Sequence, residues 1–338
     1  MNILITGAAG YIGSHCAINF INNNYNIIIF DNLETGHIEI IEELKKLADI
    51  KFIKGDLRNK NDVENLFKEN KIDAVVHFAA YSLVEESVKN PSKYYNNNVV
   101  GTLNLIDSMV KYNVKKIVFS STCATYGEPK YTPLDENHPQ NPINPYGSTK
   151  LVIEYMLKDY DKAYDLKSIK LRYFNVAGCD EKSRTGEWHD IETHLIPNIL
   201  KSTFENDSNK KFKIFGNDYN TPDGTCVRDY VNVEDLVEAH RLALEYLIKE
   251  NKSDAFNLGT QKGNSVREVF DTCQKVLNKK IDVEIAQRRE GDPEILYSNS
   301  QKAHKILNWH PKKTIEYSIK TAYEWECKLR EILAERSG

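Results

Sequence analysis

Tyr146 and Lys150 stand four residues apart in Pro145-Tyr146-Gly147-Ser148-Thr149-Lys150, a Y-x-x-x-K pair. If Pro145 opens a helix, both side chains lie on one face, one turn apart. A phenol with a pKa near ~10 is too weakly acidic to serve as a base at neutral pH, and bringing it to ~7 requires roughly 4 kcal/mol. A fixed ammonium and a second cation nearby both favour the phenolate. Such a phenolate can take a hydroxyl proton while hydride leaves the same carbon. Y-x-x-x-K by itself is common and fits a surface tyrosine; its meaning depends on what lies upstream.

Upstream, Gly7-Ala8-Ala9-Gly10-Tyr11-Ile12-Gly13 follows an apolar run and opens a helical pattern, in the form G-x-x-G-x-x-G. Glycines at these points allow a tight turn and let backbone N–H groups approach a pyrophosphate at a helix N-terminus. Asp31 closes the next apolar run, where an acid can bind ribose hydroxyls. Asn32, Leu33 and Glu34 follow it, with no arginine or lysine to pair a 2′-phosphate, so NAD is expected rather than NADP. Its nicotinamide would be the second cation beside Tyr146. Asp56, followed by Leu57, is similarly placed for the adenine, although it could equally be an acid that merely ends a strand. Thr122 lies just past the run Ile117–Ser121, and its hydroxyl can both donate and accept between a substrate and Tyr146.

These residues require a particular scaffold. Ile3–Thr6, Ile27–Asp31, Lys51–Ile53, Ala74–Ala79, Ile117–Ser121 and Ser168–Arg172 read as short strands. Helical patterns fall around Ile12–Ile21, Glu39–Leu47, Asn61–Phe67 and Pro91–Val110, and after Pro145. Strand and helix in alternation predict an α/β fold with a doubly wound parallel (Rossmann) sheet. Beyond about Asn175 the pattern loosens into helices near Leu195–Phe204, Val233–Tyr246 and Val266–Leu277, predicting a second, smaller α/β lobe for the substrate. The expected division is 1–175 and 176–338, with some elements exchanged between the two.

Composition narrows the function classes. The net charge of −4 over 338 residues gives no basic face for nucleic acid, and no apolar run is long enough to span a bilayer. The N-terminus begins a strand at once, without signal-peptide features. Six scattered cysteines with no C-x-x-C pair predict reduced thiols in a cytoplasmic protein, with neither a disulfide framework nor a zinc site. No metal is expected.

Together, Gly7 to Gly13, Asp31, Thr122, Tyr146 and Lys150 resemble the extended short-chain dehydrogenase/reductase family. The likeness narrows to its UDP-glucose 4-epimerase branch over essentially the whole chain, in GAAGYIGSH, HFAAYSLVEESV, YYNNNVVGT, INPYGSTK, LRYFNVAG, THLIP, IFGNDYNTPDGTCVRDYV and RREGDP. The resemblance implies galactose metabolism: NAD-dependent inversion of the 4-hydroxyl of a UDP-hexose through a 4-keto sugar. It also implies site roles. Gly7, Gly10, Tyr11, Ile12, Gly13, Asp31, Asn32, Asp56, Leu57, Phe78, Ala79, Asn97 and Tyr173 would form the cofactor groove, with Tyr146 and Lys150. Thr122, Tyr146 and Lys150 would be the catalytic trio. Phe174, Asn175, His194 and Leu195 would contact the nucleotide sugar. Phe215 and Tyr230 would flank the uridine, Arg228 and Arg289 grip the diphosphate, and Asp292 hold the ribose.

The chain departs from its relatives at three points. Ser82 stands where some carry a cofactor-contacting lysine, Thr122 replaces a common serine, and His194 replaces an asparagine found in others. Leu296 occupies the position where a bulky tyrosine crowds the sugar's 2-substituent in some members, so UDP-glucose/galactose and their N-acetylated forms both remain open. By the same analogy a homodimer would pair the helices after Pro91 and Pro145. A nucleotide-sugar 4,6-dehydratase is the nearest rival. It needs an acid after the threonine, where Cys123 and Ala124 stand. A non-catalytic NAD-binding scaffold would not need Tyr146, Lys150 and the diphosphate arginines.

Overall fold

The computed structural model describes residues 1–204, 211–288 and 293–337. Six parallel strands run in sequence: β1 (Asn2–Thr6), β2 (Asn26–Asp31), β3 (Lys51–Lys54), β4 (Ala74–His77), β5 (Lys116–Thr122) and β6 (Lys167–Tyr173). The interleaved helices are α1 (Tyr11–Asn22), α2 (Ile38–Lys45), α3 (Lys60–Glu69), α4 (Val84–Lys89), α5 (Pro91–Tyr94), α6 (Gly101–Lys111) and α7 (Pro145–Tyr164). A parallel sheet is covered on both faces, so its strands are apolar throughout, and β2 (NIIIFD) is buried from its second residue onward.

The remaining strands are β7 (Asn175–Ala177), β8 (Phe212–Phe215), β9 (Val227–Asn232), β10 (Asp254–Leu258), β11 (Gly263–Ser265), β12 (Val283–Ala286) and β13 (Ile295–Leu296). The remaining helices are α8 (Leu195–Ser202), α9 (Val233–Glu250), α10 (Val266–Leu277), α11 (Gln301–Leu307) and α12 (Ile315–Ser337). The large sheet has seven strands in the order β10-β6-β5-β4-β1-β2-β3, the doubly wound arrangement the strand–helix alternation predicts. Its seventh strand, β10, and α9, which packs against α1, both come from beyond residue 175. The smaller sheets are β11-β9-β13 with β7 also on β9, and β12-β8.

One core fills the face of the large sheet under α1, α2 and α9, and a second fills the face under α3, α6 and α7. A third, with Ile196, Ile199, Ile214, Phe270 and Ile319, holds the smaller lobe.

Two sequence expectations shift. The strand read as Ala74–Ala79 ends at His77, because Phe78 turns to give its N–H to the Thr6 carbonyl at 3.1 Å and Ala79 comes against Gly7. The helix read from Pro91 to Val110 is α5 and α6 joined by a π-helical turn, Tyr95–Val100. Such turns rotate the face of a helix and often occur at functional sites. Here the turn delivers Asn98 to the interior, where Tyr81 N–H donates to its Oδ1 at 2.9 Å and its Nδ2 donates to Tyr81 O at 3.0 Å and Thr149 Oγ1 at 3.1 Å.

Candidate active site

The glycine turn is shaped by how closely backbones meet. A Cβ on Gly13 would lie 2.2 Å from the Gly7 carbonyl oxygen, and one on Gly7, at φ +77°, would lie 2.6 Å from Ala79 N. Only glycine fits either place. Ile12 packs against the large core from α1. Tyr11 lies in the turn, but its phenol donates to Gly178 O at 2.5 Å, tying the turn to the segment after β7.

Asp31 sits at the end of β2, buried. Its carboxylate accepts the Ala9 N–H at 3.0 Å and the Leu33 N–H at 2.8 Å, while burial raises its pKa. Asp56 is differently engaged. Arg58 Nε donates to it at 2.9 Å and Asn32 Nδ2 at 3.1 Å, and Arg58 draws its pKa down to about 2. Arg58 also pairs with Glu34 at 2.6 Å. This guanidinium reaches the loop after β2 from the turn after β3, which inspection of Asn32, Leu33 and Glu34 alone could not reveal. Two carboxylates balance it, so the neighbourhood of Asp31 stays acidic. Leu57 is buried beneath Gly101, and Phe78 lies against the His240 ring at 4.8 Å. Asn97 Nδ2 donates to Asn98 Oδ1 at 3.1 Å.

The structure brings Thr122, Tyr146 and Lys150 together at the carboxyl end of β5. Asn144 caps α7 by accepting the Gly147 N–H at 2.8 Å, and Pro145 occupies the first turn. A Cβ on Gly147 would lie 2.5 Å from Ala124 O, so this glycine lets α7 press against the turn after Thr122. Tyr146 thereby comes beside the Thr122 hydroxyl, which draws its pKa down against burial. Lys150 Nζ lies 6.0 Å from the Tyr146 ring centre, 4.9 Å from that of Phe119, and donates to Ser120 O at 2.8 Å. Burial lowers Lys150 to about 7.

Burial raises the Tyr146 phenol well above its ordinary value, the Tyr173 phenol adds to this, and the Thr122 bond offsets a part. Tyr173, at the end of β6, is pushed up to about 12 by burial and hydrogen-bonds Ser120 Oγ.

Next to this cluster a cavity of about 470 Å³ opens in the smaller lobe. Asn175, His194, Leu195, Phe215, Arg228 and Tyr230 line it, bringing six residues marked in the sequence to one place. Lys201, Lys211 and Lys213 line it too and carried no motif to betray them. Phe174 and Leu296 instead join an apolar cluster with Cys123, Tyr126 and Leu134. Arg289 and Asp292 lie outside the described residues.

The loop between β7 and α8 gathers Glu187, His189, Glu192 and His194, another group with no sequence signal of its own. Glu154 and Arg172 form a buried pair beneath Thr122, with Ser121 Oγ donating to Glu154 at 2.6 Å. All six cysteines are free, and among the described residues no helix is long and apolar enough to cross a membrane.

The family model for GDP-mannose 4,6 dehydratase matches residues 4–322. The chain is 48% identical over 326 residues to the UDP-glucose 4-epimerase of Lactobacillus helveticus, covering 96% of this chain and 97% of that protein. It is 37% identical to the Bifidobacterium longum UDP-glucose 4-epimerase solved with NAD+ and UDP, with a TM-score of 0.90 and coverage of 97% and 98%. The UDP-Glc/GlcNAc 4-epimerase of Campylobacter jejuni is 44% identical, with a TM-score of 0.85 and coverage of 97% and 99%. The matching family model bears a dehydratase's name, but Cys123 and Ala124 after Thr122 provide no acid for elimination. The chain belongs to the UDP-glucose 4-epimerase branch of the NAD-dependent epimerase/dehydratase, or extended short-chain dehydrogenase/reductase, family.

Proposed function

We propose that the chain interconverts UDP-galactose and UDP-glucose with tightly held NAD, using Thr122, Tyr146 and Lys150. The observation that carries this reading is the trio gathered at the end of β5, in the same sheet whose β1 leads into the glycine turn, together with a cavity lined by basic side chains in the smaller lobe. The residues fit NAD. Glycines leave the space a Cβ would fill, Asp31 offers a fixed carboxylate for the ribose, and the pair Glu34–Asp56 discourages a 2′-phosphate. When bound, NAD supplies reversible hydride transfer and a positive nicotinamide.

The chain handles the proton and the tether. Tyr146 Oη takes the proton of the sugar's 4-hydroxyl and returns it after the sugar turns over, with Thr122 Oγ1 bridging the two oxygens. Lys150, which burial lowers to about 7, steadies the phenolate as it forms. Arg228, Lys201, Lys211 and Lys213, beside the N-terminus of α8, hold the diphosphate while Phe215 and Tyr230 flank the base. A firm grip on UDP and a loose one on the hexose lets one site work on both sugar faces.

A second reading, acceptance of N-acetylated hexoses, is favoured by Leu296 packing into the apolar wall with Phe174 and Cys123. We further propose a cytoplasmic homodimer. Val100, Leu103 and Tyr155 are exposed apolar residues on the helical stretch after Pro91 and on α7, where that pairing would cover them.

Purified protein given equal UDP-galactose and UDP-N-acetylgalactosamine, followed by anomeric proton NMR, tests both readings. Conversion of UDP-galactose is expected, and conversion of the N-acetyl sugar beside it supports the second reading. No conversion of either, with NAD present, overturns the proposal.

A further inference from the structure

In the loop that leads into α8, the segment Glu187-Trp188-His189-Asp190-Ile191-Glu192-Thr193-His194 folds back so that four side chains converge, with one ligand atom from each within 4.8 Å of the others. His189 Nδ1 lies 3.4 Å from Glu187 Oε1 and 3.7 Å from Glu192 Oε2, and His194 Nδ1 lies 3.4 Å from Glu192 Oε1. Around a tetrahedral zinc ion with bonds of about 2.0–2.1 Å, neighbouring ligand atoms are spaced about 3.3–3.4 Å apart. These three spacings are close to that, the two Glu192 distances being to its two different oxygens, while the His194–Glu187 edge is a direct hydrogen bond that an ion would have to open.

A network of protons and carboxylates is the alternative, and two buried atoms count against it. His189 Nδ1 and Glu192 Oε2 are both buried without a hydrogen-bond partner and face each other beyond hydrogen-bond reach. The Glu192 side chain is only 5% exposed, and Lys201 Nζ stands 3.6 Å from its Oε2. Orphaned buried groups of this kind are costly, and an ion between them removes the cost of both. Although burial opposes it, Glu187 and Glu192 raise both imidazoles above their ordinary value when no ion is bound. An ion would displace those protons, and the two carboxylates and two neutral imidazoles would then carry a charge of −2 that a divalent ion cancels. Imidazole nitrogen and carboxylate oxygen at tetrahedral spacing suit zinc among the divalent ions.

The surroundings already hold the ligands in place. Trp325 Nε1 donates to Glu187 O at 2.9 Å, and the His37 ring stacks on Trp188 at 3.7 Å. Glu192 Oε1 accepts the N–H groups of Thr193 and His194, each at 2.9 Å.

We propose that Glu187, His189, Glu192 and His194 form a structural site for a zinc-class divalent cation that clamps the loop forming one wall of the cavity. The clamp would set the position of Thr193, His194 and Leu195 without joining the chemistry at Tyr146. It does not depend on which sugar is turned over.

Cobalt(II) added to full-length, tag-free protein after chelator treatment tests this without an activity assay. One equivalent per chain is expected, with the visible absorption of a four-coordinate cobalt ion and displacement by zinc. His189→Ala and Glu192→Gln should each weaken binding by about 100-fold or more. Absence of stoichiometric binding, or binding that both folded variants retain, overturns the proposal. Should the variants fail to fold, carbethoxylation of the wild-type protein mapped by mass spectrometry decides. Zinc should shield His189 and His194 but not exposed His310, and equal labelling with and without zinc overturns the site.

Discussion

On the large sheet, Asp31 takes two backbone N–H groups and His77 bonds the hydroxyls of Thr6 and Thr102 at 2.6 and 2.8 Å. In the smaller lobe, Lys201 on α8, Lys211 just before β8, Lys213 on β8 and Arg228 on β9 line one cavity. The groove is therefore shaped by strand ends and close backbone contacts, and its polar groups are largely satisfied by the chain itself. The cavity is shaped by the meeting of β7, β8, β9 and α8 and gathers four basic side chains, of which Lys213 stands 3.0 Å from Glu284 and Lys201 3.6 Å from Glu192. Between the two lies the reacting end, where Lys150 is brought to about 7 by burial and Tyr146 is kept a neutral phenol. A rigid groove, an anion-seeking cavity and an undercompensated pair between them suit a reaction in which cofactor and UDP stay fixed while the hexose moves.

If the reacting end depends on the phenol, Tyr146→Phe should lower kcat by about 10²–10⁴-fold while bound NAD per chain is unchanged. Near-normal turnover would break the distinction between groove and reacting end. If the cavity's work is to hold an anion, Arg228→Ala should raise KM by about 10- to 150-fold, the loss of a charged hydrogen bond worth about 1.5–3 kcal/mol, with a smaller change in kcat. Steady-state kinetics with UDP-galactose separates the two.

If close backbone contact shapes the groove, Gly13→Ala should weaken NAD retention by about 5- to 150-fold, because overpacking costs about 1–3 kcal/mol. Cofactor content after gel filtration reads it.

The smallest effect is on pH dependence. Burial lowers His15 to about 4, His77 to about 3 and His240 to about 4, so all three are neutral in the folded protein at neutral pH. Their unfolded pKa is near ~6.5. Between about pH 4 and 6.5 the unfolded chain therefore holds more protons, and stability should fall as pH drops through that window. Urea unfolding at pH 7 and pH 5 checks this, and His77→Gln should make the decline shallower.

The two regions were unequally legible in the sequence. The glycine turn, Asp31, Thr122, Tyr146 and Lys150 are local patterns, because a strand–turn–helix unit carries its chemistry at fixed offsets. The residues that position them were not legible. Asn98 acts through a π-helical turn that no period-3.6 pattern announces, and Gly147 matters only because α7 touches Ala124. Arg58 answers Asp56 and Glu34 from the loops after two different strands, and Tyr11 turns its phenol to Gly178. The cavity's lysines sit on α8 and on or just before β8 and meet only through the packing of those elements, and the Glu187–His194 cluster depends on a loop whose path is set by packing rather than by propensity. The seventh strand, β10, joins the large sheet from a stretch whose looser pattern suggested only the smaller lobe.

The central claim is that inversion at C4 proceeds by loss and return of hydride at the same carbon, with Tyr146 handling the proton. UDP-galactose carrying deuterium at C4, incubated in ordinary water with an excess of unlabelled protein-bound NAD and followed by NMR and mass spectrometry, tests it most directly. The account predicts UDP-glucose that keeps its deuterium at C4 through the first turnover, with none released to solvent. Product whose C4 label has washed out into water, or no product at all, would contradict it.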